Sequence, residues 1–400
     1  MINRRVLLPN AVNRPALTVI RSLGNKGCEV YAGSPGGNSI AGLSRFAAGT
    51  VKHPDPRHDP EAFMDAIVNA VAERDIGAVV PAADVVANVL IEYENRFGPE
   101  VKLLLPPRDA LARAHDKVAL MRLARQVGVP VPEGFEAEGN PLDHPGMAEL
   151  RYPLILKPGL SRIKAGGGWR STSVEIVVNE KRLRLLCEER PEFSDHAYLV
   201  QRKVPGEGRG VFLVAREGEL TAVFGHRRLR EKPPWGGVST LCETASPDPQ
   251  LVEHSTRLMK ALRWSGVAMV EFKYDPATGE AWLMEINGRF WGSMQLAVRS
   301  GVDFPWLVYQ QEILGRRLEP SSIQRDVRLW WICGDVDHFL LRLARGGLGE
   351  LPAMLGDLLR TRQGHILDCD TLKARDPVPF LYEFGQWMTQ NLKGTFFGGG

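Results

Sequence analysis

The segment Leu283-Met284-Glu285-Ile286-Asn287-Gly288-Arg289 decides how the chain reads. Strand alternation puts Glu285 and Asn287 on one face with two oxygens pointing the same way, and hard donors so arranged suit magnesium. Upstream, Val270-Glu271-Phe272-Lys273 carries a single carboxylate in an apolar run, and Asp275 to Gly279 between the two segments reads as a turn. A hairpin then sets Glu271 beside Glu285. Neighbouring carboxylates repel each other unless a cation lies between them. Periodicity alone also accommodates two solvent-facing glutamates on a half-exposed sheet.

Further upstream, Tyr152-Pro153-Leu154-Ile155-Leu156-Lys157-Pro158 ends an apolar strand on a lysine, and Lys164-Ala165-Gly166-Gly167-Gly168 follows. Such a glycine turn can offer backbone N–H groups to an anion, although an ordinary solvent loop has the same composition. It lacks the GxxxxGK[ST] pattern of a Walker A loop. Residues 4 to 105 alternate β-branched runs (Val6 to Leu8, Glu29 to Tyr31, Ala78 to Val80, Leu103 to Leu105) with helical stretches at Pro15 to Asn25, Glu61 to Glu73 and Val85 to Phe97. That alternation predicts βαβ units around a parallel sheet. The turn after the first run, Pro9 to Pro15, lacks the glycines of a dinucleotide fingerprint.

A helix is expected from Asp116 to Val127, stopped by Gly128 and Pro130. Beyond it, strand-like runs dominate to Ile286, interrupted by helices near Glu180 to Glu189 and Gln250 to Arg263, which is an α+β pattern. From Phe304 the chain reads as mainly helical, with a polar, glycine-rich tail.

A net charge of +3 gives no reason to expect nucleic acid, while leaving room for a local anion site. The five cysteines are isolated, with no metal or redox spacing, and read as reduced thiols of a cytoplasmic protein. The first apolar run is broken by Pro9, Asn10 and Arg14, so no signal segment is expected. The run Leu329 to Leu343 is interrupted by Asp335, Asp337 and Arg342, so no transmembrane segment is expected either.

Taken in order, these pieces resemble the ATP-grasp superfamily over about residues 1 to 315, and within it proteins similar to carbamoyl-phosphate synthase large subunits. The resemblance rests on the Asp116-Lys117 pair, Val129-Pro130-Val131-Pro132, Lys157 and the glycine loop. It continues through Val200-Gln201-Arg202-Lys203-Val204-Pro205-Gly206-Glu207, Glu271 and Glu285-x-Asn287-x-Arg289, the most specific of these motifs. It implies mixed α/β and α+β architecture. A Rossmann-like pre-ATP-grasp domain would span 1–113, a two-lobed ATP-grasp domain 114–318 with its lid lobe about 150–205, and a mainly helical extension 319–400.

The resemblance further implies ATP as cosubstrate with two magnesium ions, or manganese in their place. ATP would lie against the hinge at Lys203 and Val204, with Glu207 on the ribose. Lys117, Lys157 and Gly166 to Gly168 would meet the phosphates. Glu271, Glu285 and Asn287 would hold metal, and Arg289 would stabilise charge during phosphoryl transfer. The family often has an acid where this chain has Arg202, which moves the adenine contact to Gln201 or to backbone carbonyls.

The implied reaction joins a small-molecule carboxylate to an amine through an acyl-phosphate. A hydroxyl or thiol nucleophile, a carboxylase, or a binding scaffold with a degenerate cleft are the competing readings. Oligomeric state is left open, a homodimer included. The basic run Phe224 to Thr240 resembles a substrate-facing segment of these proteins, and Arg228 and Arg230 at alternate positions could share a face and bind an anion, or simply protect a strand edge. Of the histidines only His226 falls near the expected cleft, and Cys242 reads as a small buried hydrophobe. The amphipathic stretch Phe339 to Leu359 suits docking on the grasp domain, a partner or a membrane surface.

Overall fold

The computed structural model describes residues 3–160, 162–165, 168–190, 193, 196–318, 323–362 and 364–397. The chain divides into two compact units. The first is built from Met1–Leu105, Thr221–Pro247 and Arg289–Gly400, the second from Pro106–Leu220 and Asp248–Gly288.

In the first unit, strands β1 (Arg5–Leu8), β2 (Glu29–Ser34), β3 (Ala47–Lys52), β4 (Ala78–Val79) and β5 (Lys102–Leu103) form a parallel sheet in the order β3-β2-β1-β4-β5. Apolar side chains from its strands and helices, among them Leu7, Phe63, Ile67, Val79, Val86 and Leu90, close one core. The Arg14–Asn25 helix starts where Asn13 Oδ1 accepts from Ala16 N at 3.0 Å, with Pro15 preset for the first turn. The expected helix Val85 to Phe97 is shorter, ending at Glu92 before a 3-10 turn at Glu94–Arg96.

The same unit contains an antiparallel ladder of Glu219–Lys232 with Val238–Ala245, extended by Val327–Trp330 and then, in parallel, by Ile366–Cys369. Among the described residues, those after 319 are therefore mainly helical but contribute two strands. They are tied to the N-terminal helix through buried charge: Arg21 donates to Asp376 Oδ2 at 2.8 Å and to the carbonyls of Asp370 and Thr371, and Arg14 pairs with Asp370 at 2.6 Å. Val378–Phe397 is helical, as expected of the mainly helical end, and Phe380, Phe384 and Trp387 stack along it at helical spacing; Gly398 to Gly400 of the expected tail lie outside the described residues.

In the second unit, Gly134–Ala137, Leu154–Pro158, Glu175–Val177 and Tyr198–Arg202 form a four-stranded antiparallel sheet. One face, carrying Leu154, Leu156, Val177, Tyr198 and Val200, packs on Leu183 and Leu186 of the Glu180–Glu189 helix. The other face carries Ile155, Lys157, Leu199 and Gln201, because paired residues share a side of the sheet. Glu207–Arg216, Gly266–Tyr274 and Ala281–Asn287 form a second antiparallel ladder.

Candidate functional site

The hairpin of Gly266–Tyr274 and Ala281–Asn287 places Glu271 opposite Glu285. In a run otherwise buried from Gly266 to Phe272, Glu271 is the half-buried position. The register then slips, pairing Phe272 with Leu283, so Met284 is the extra residue of a β-bulge. Bulges re-aim side chains, and the half-buried residues after this one are Met284, Glu285 and Asn287. Asn287 Nδ2 donates to Glu271 Oε1 at 3.2 Å and to Glu285 Oε1 at 3.0 Å, so one amide N–H2 separates two carboxylates. Turning that amide over brings Oδ1 to the same point, giving three oxygen donors around one position. Gly288 is required by contact, since a Cβ there would lie 2.4 Å from Leu111 Cδ1 and 2.9 Å from Trp264.

Lys157 meets this hairpin from the sheet's polar face, its Nζ 3.7 Å from Met284 Sδ. Burial pushes its pKa down to about 8, offset in part by Glu285, while the Lys117 charge lowers it further. Lys117 is itself buried and opens the Lys117–Gln126 helix, which Asp116 caps by accepting from Val118 N and Ala119 N. Its amide donates to Gly159 O at 2.8 Å, and Gly159 N donates to Ala197 O at 2.9 Å, locking the helix start against the end of the Lys157 strand. Two ammonium groups and a helix N-terminus thus gather around the end of the Lys157 strand, a field that favours a polyanion.

On the same sheet face, Gln201 is 1% exposed, and among the described residues neither its amide oxygen nor its N–H2 has a partner. Buried amides without partners are rare and costly, and a ligand edge with one donor and one acceptor would satisfy both. Arg202 turns away, exposed and 3.5 Å from Glu133. Lys203 is exposed with its amide on Pro153 O, Val204 is buried, and Gly206 adopts φ +98 where a Cβ would strike Tyr274 O at 2.2 Å. Glu207 is paired with Arg209 at 2.8 Å. Gly166 and Gly167 lie outside the described residues, and Gly168 begins the Gly168–Ser171 strand.

In the first unit, Arg289 Nε holds Asp84 at 2.7 Å and Nη1 reaches Phe290 O. Arg228 and Arg230 do not form the shared anion face expected of them. A bulge shifts the register between them, Arg228 pairs with Glu231 at 3.2 Å, and buried Arg230 grips Asp335 with two nitrogens at 2.7 and 2.6 Å. His226 is buried beside Ser293 Oγ at 3.0 Å and its pKa falls to about 3, mainly by desolvation. Cys242 is buried and its thiol is raised to about 12, which makes it inert.

The family model described as ATP-grasp in the biosynthetic pathway with Ter operon matches residues 194–334. The carbamoyl phosphate synthase large chain of Pyrococcus furiosus is 25% identical over 237 residues, which are 57% of this chain and 21% of that protein. The chain thus spans about a fifth of that relative's length. The biotin carboxylase of Campylobacter jejuni, in complex with β,γ-ATP, superposes with TM-score 0.64 at 18% identity over 80% of this chain and 73% of that one. Residues 194–334 thus match an ATP-grasp family model, and the chain shares its fold with the biotin carboxylase. The L-amino acid ligase of Bacillus licheniformis superposes with TM-score 0.58 at 18% identity, covering 80% of this chain and 76% of its own.

The motif strand, the strand lysine and the hinge were each readable as segments. Three features escaped the sequence: the bulge at Met284, the sheet face shared by Lys157 and Gln201, and the engagement of Arg230 by a residue 105 positions away. Alternation carries no sign of a bulge, and a distant partner leaves no local pattern.

Proposed function

We propose that this protein is an ATP- and magnesium-dependent ligase that activates a carboxylate as an acyl-phosphate and passes the acyl group to an amine or similar nucleophile. The observation that carries the reading is the convergence of Glu271, Glu285 and Asn287 on one point, with half-buried Lys157 beside them. The donor set suits magnesium: two carboxylates and an amide oxygen are hard ligands. Among the described residues no group of three or more His, Cys, Asp or Glu gathers, so water and phosphate oxygens would complete the shell, as magnesium prefers. Bound there, the ion would neutralise phosphate charge and hold the γ-phosphoryl group for attack.

The residues supply the rest. Lys157 and Lys117 bind phosphate oxygens, Gln201 offers its amide to the adenine edge, and Glu207 takes the ribose. A substrate carboxylate oxygen bonds to the γ-phosphorus as the bond to the β-phosphate oxygen breaks, releasing ADP. The nucleophile then bonds to the acyl carbon, phosphate leaves with the carbon–oxygen electron pair, and the amine loses a proton. Arg289 stabilises the charge that redistributes during the first transfer. Support for a ligase over a nucleotide-holding scaffold comes from the full complement of Lys157, Glu271, Glu285, Asn287 and Arg289.

The test is a screen of carboxylic acid and amine pairs for ATP-dependent phosphate release, with mass spectrometry of products. A condensed product with one phosphate per coupling is the expected result. Phosphate release from no pair, including those with hydroxyl and thiol nucleophiles, would turn the reading towards a scaffold.

A further inference from the structure

The helix Leu351–Arg360 presents the wrong face to solvent for an ordinary surface helix. Its one acid, Asp357, faces the protein: the carboxylate accepts from Arg342 Nη1 at 2.7 Å and the carbonyl accepts from Arg230 Nη1 at 3.2 Å. No residue of the helix is buried. Leu351, Leu355, Leu358 and Leu359, on one side at helical spacing, are all exposed, Leu359 to 75%, as is Leu348 on the preceding turn. Single exposed leucines are ordinary, but a contiguous set of them marks a surface that something covers.

The charges around the patch say what covers it. Between Leu340 and His365 the acids are Glu350 and Asp357, and Arg342 holds both. Along the chain the leucines are bracketed by Arg345 on one side and by Arg360 and Arg362 on the other. Among the described residues, Arg345 and Arg362 have no carboxylate partner; Arg345 lies 5.1 Å from the ring of Trp235, which is itself 60% exposed. Leucines edged by arginines and an exposed tryptophan are suited to the boundary between acyl chains and anionic headgroups. No helix among the described residues is long and apolar enough to cross a membrane, so a surface bearing this face would lie on the bilayer.

We infer that this face seats the protein peripherally on an anionic membrane surface, with the leucines in the acyl boundary and Arg345, Arg360 and Arg362 against headgroup phosphates. A second copy is a poorer occupant, because a two-fold contact lays the patch on its own equivalent and opposes like charges. This inference is independent of the proposed ligase activity.

The test is flotation of the full chain with phosphatidylcholine vesicles, with and without phosphatidylglycerol, at low and high salt. The chain is expected to float with the anionic vesicles, and high salt weakens the association. The double variant Leu355→Ser/Leu359→Ser should lower binding roughly tenfold or more, since each exposed leucine then has no apolar surface to bury. Arg345→Glu/Arg362→Glu should remove the preference for anionic lipid. Both pairs are exposed, so circular dichroism and the melting midpoint should match the unaltered chain. Absence from anionic vesicles, or flotation untouched by the leucine pair, overturns the inference. So does a dimer seen by light scattering that the leucine pair dissociates without any vesicle binding. Retention on polyglutamate beads but not on vesicles gives the rim to an acidic protein and overturns it as well.

Discussion

Two polar clusters, the Glu271–Glu285–Asn287 hairpin and the Arg230–Asp335 node, use charge in opposite ways. Asp335 is buried and accepts from Arg230 Nε and Nη2, from Thr240 Oγ1 at 2.8 Å and from Trp330 Nε1 at 2.8 Å. Arg230 spends its remaining donors on Thr361 Oγ1 and Asp357 O. Every strong group there is answered from within the fold. At the hairpin, one amide serves two half-buried carboxylates, a nearby lysine is held below its ordinary pKa, and a buried glutamine on the facing sheet has no partner among the described residues. A closed network stabilises. A cluster whose carboxylates share one amide beside a lysine held below its ordinary pKa is poised for a ligand of the opposite pattern.

The largest effect that sharpens this contrast is expected at the hairpin. Glu285→Ala should lower magnesium-dependent turnover roughly 10³-fold or more while leaving the melting midpoint nearly unchanged, because the residue acts on the nucleotide rather than the fold. Calorimetric melting and phosphate release on the same preparation decide it. Arg289→Ala should cost turnover about 10²- to 10³-fold and weaken ATP binding less. Lysine should restore only part of that rate, since an ammonium lacks the guanidinium fork that here also holds Asp84 at 2.7 Å.

The node should respond the other way. Asp335→Ala leaves Arg230 buried without its counter-charge and should destabilise the fold by about 3–5 kcal/mol, with turnover per folded molecule kept. Denaturant unfolding alongside activity checks this, and a stable but inactive variant would break the comparison.

A smaller, pH-dependent effect is expected at Lys157. Its pKa of about 8 must rise when a phosphate anion arrives, so the bound state holds the proton over a range where the free protein has lost it. Affinity for ATP should therefore be greatest below pH 8 and fall as pH rises above it, by up to roughly tenfold per unit until the bound pKa is passed. Lys157→Met should weaken binding and flatten that profile. A profile of unaltered slope in the variant would assign the titration elsewhere.

What the sequence made legible follows from what leaves a local trace. The parallel sheet announced itself through β-branched runs between helical stretches, but β3 did not: Ala47-Ala48-Gly49-Thr50-Val51-Lys52 has too few large apolar residues to read as a strand, and pairing with β2 makes it one. Gly134–Ala137 was hidden likewise, its place on the sheet edge set by Tyr198–Arg202. The Asp116 cap was readable because capping is local, and Glu271 opposite Glu285 because hairpin register follows from a short turn. Arg230 misled because a strand arginine looks the same whether it faces a ligand or a buried aspartate. The exposed leucines of Leu351–Arg360 read as an amphipathic helix; which side met the protein depended on Arg342 and Arg230 reaching Asp357.

Glu271, Glu285, Asn287 and Lys157 are proposed to act as one nucleotide–metal site. Isothermal titration of ATP into the protein, with magnesium and with chelator, compared between the unaltered chain and Glu285→Ala, tests it most directly. Magnesium should strengthen ATP binding to the unaltered chain, and that enhancement should vanish in the variant while weaker binding through Lys157 persists. An enhancement of equal size in both proteins would contradict the claim.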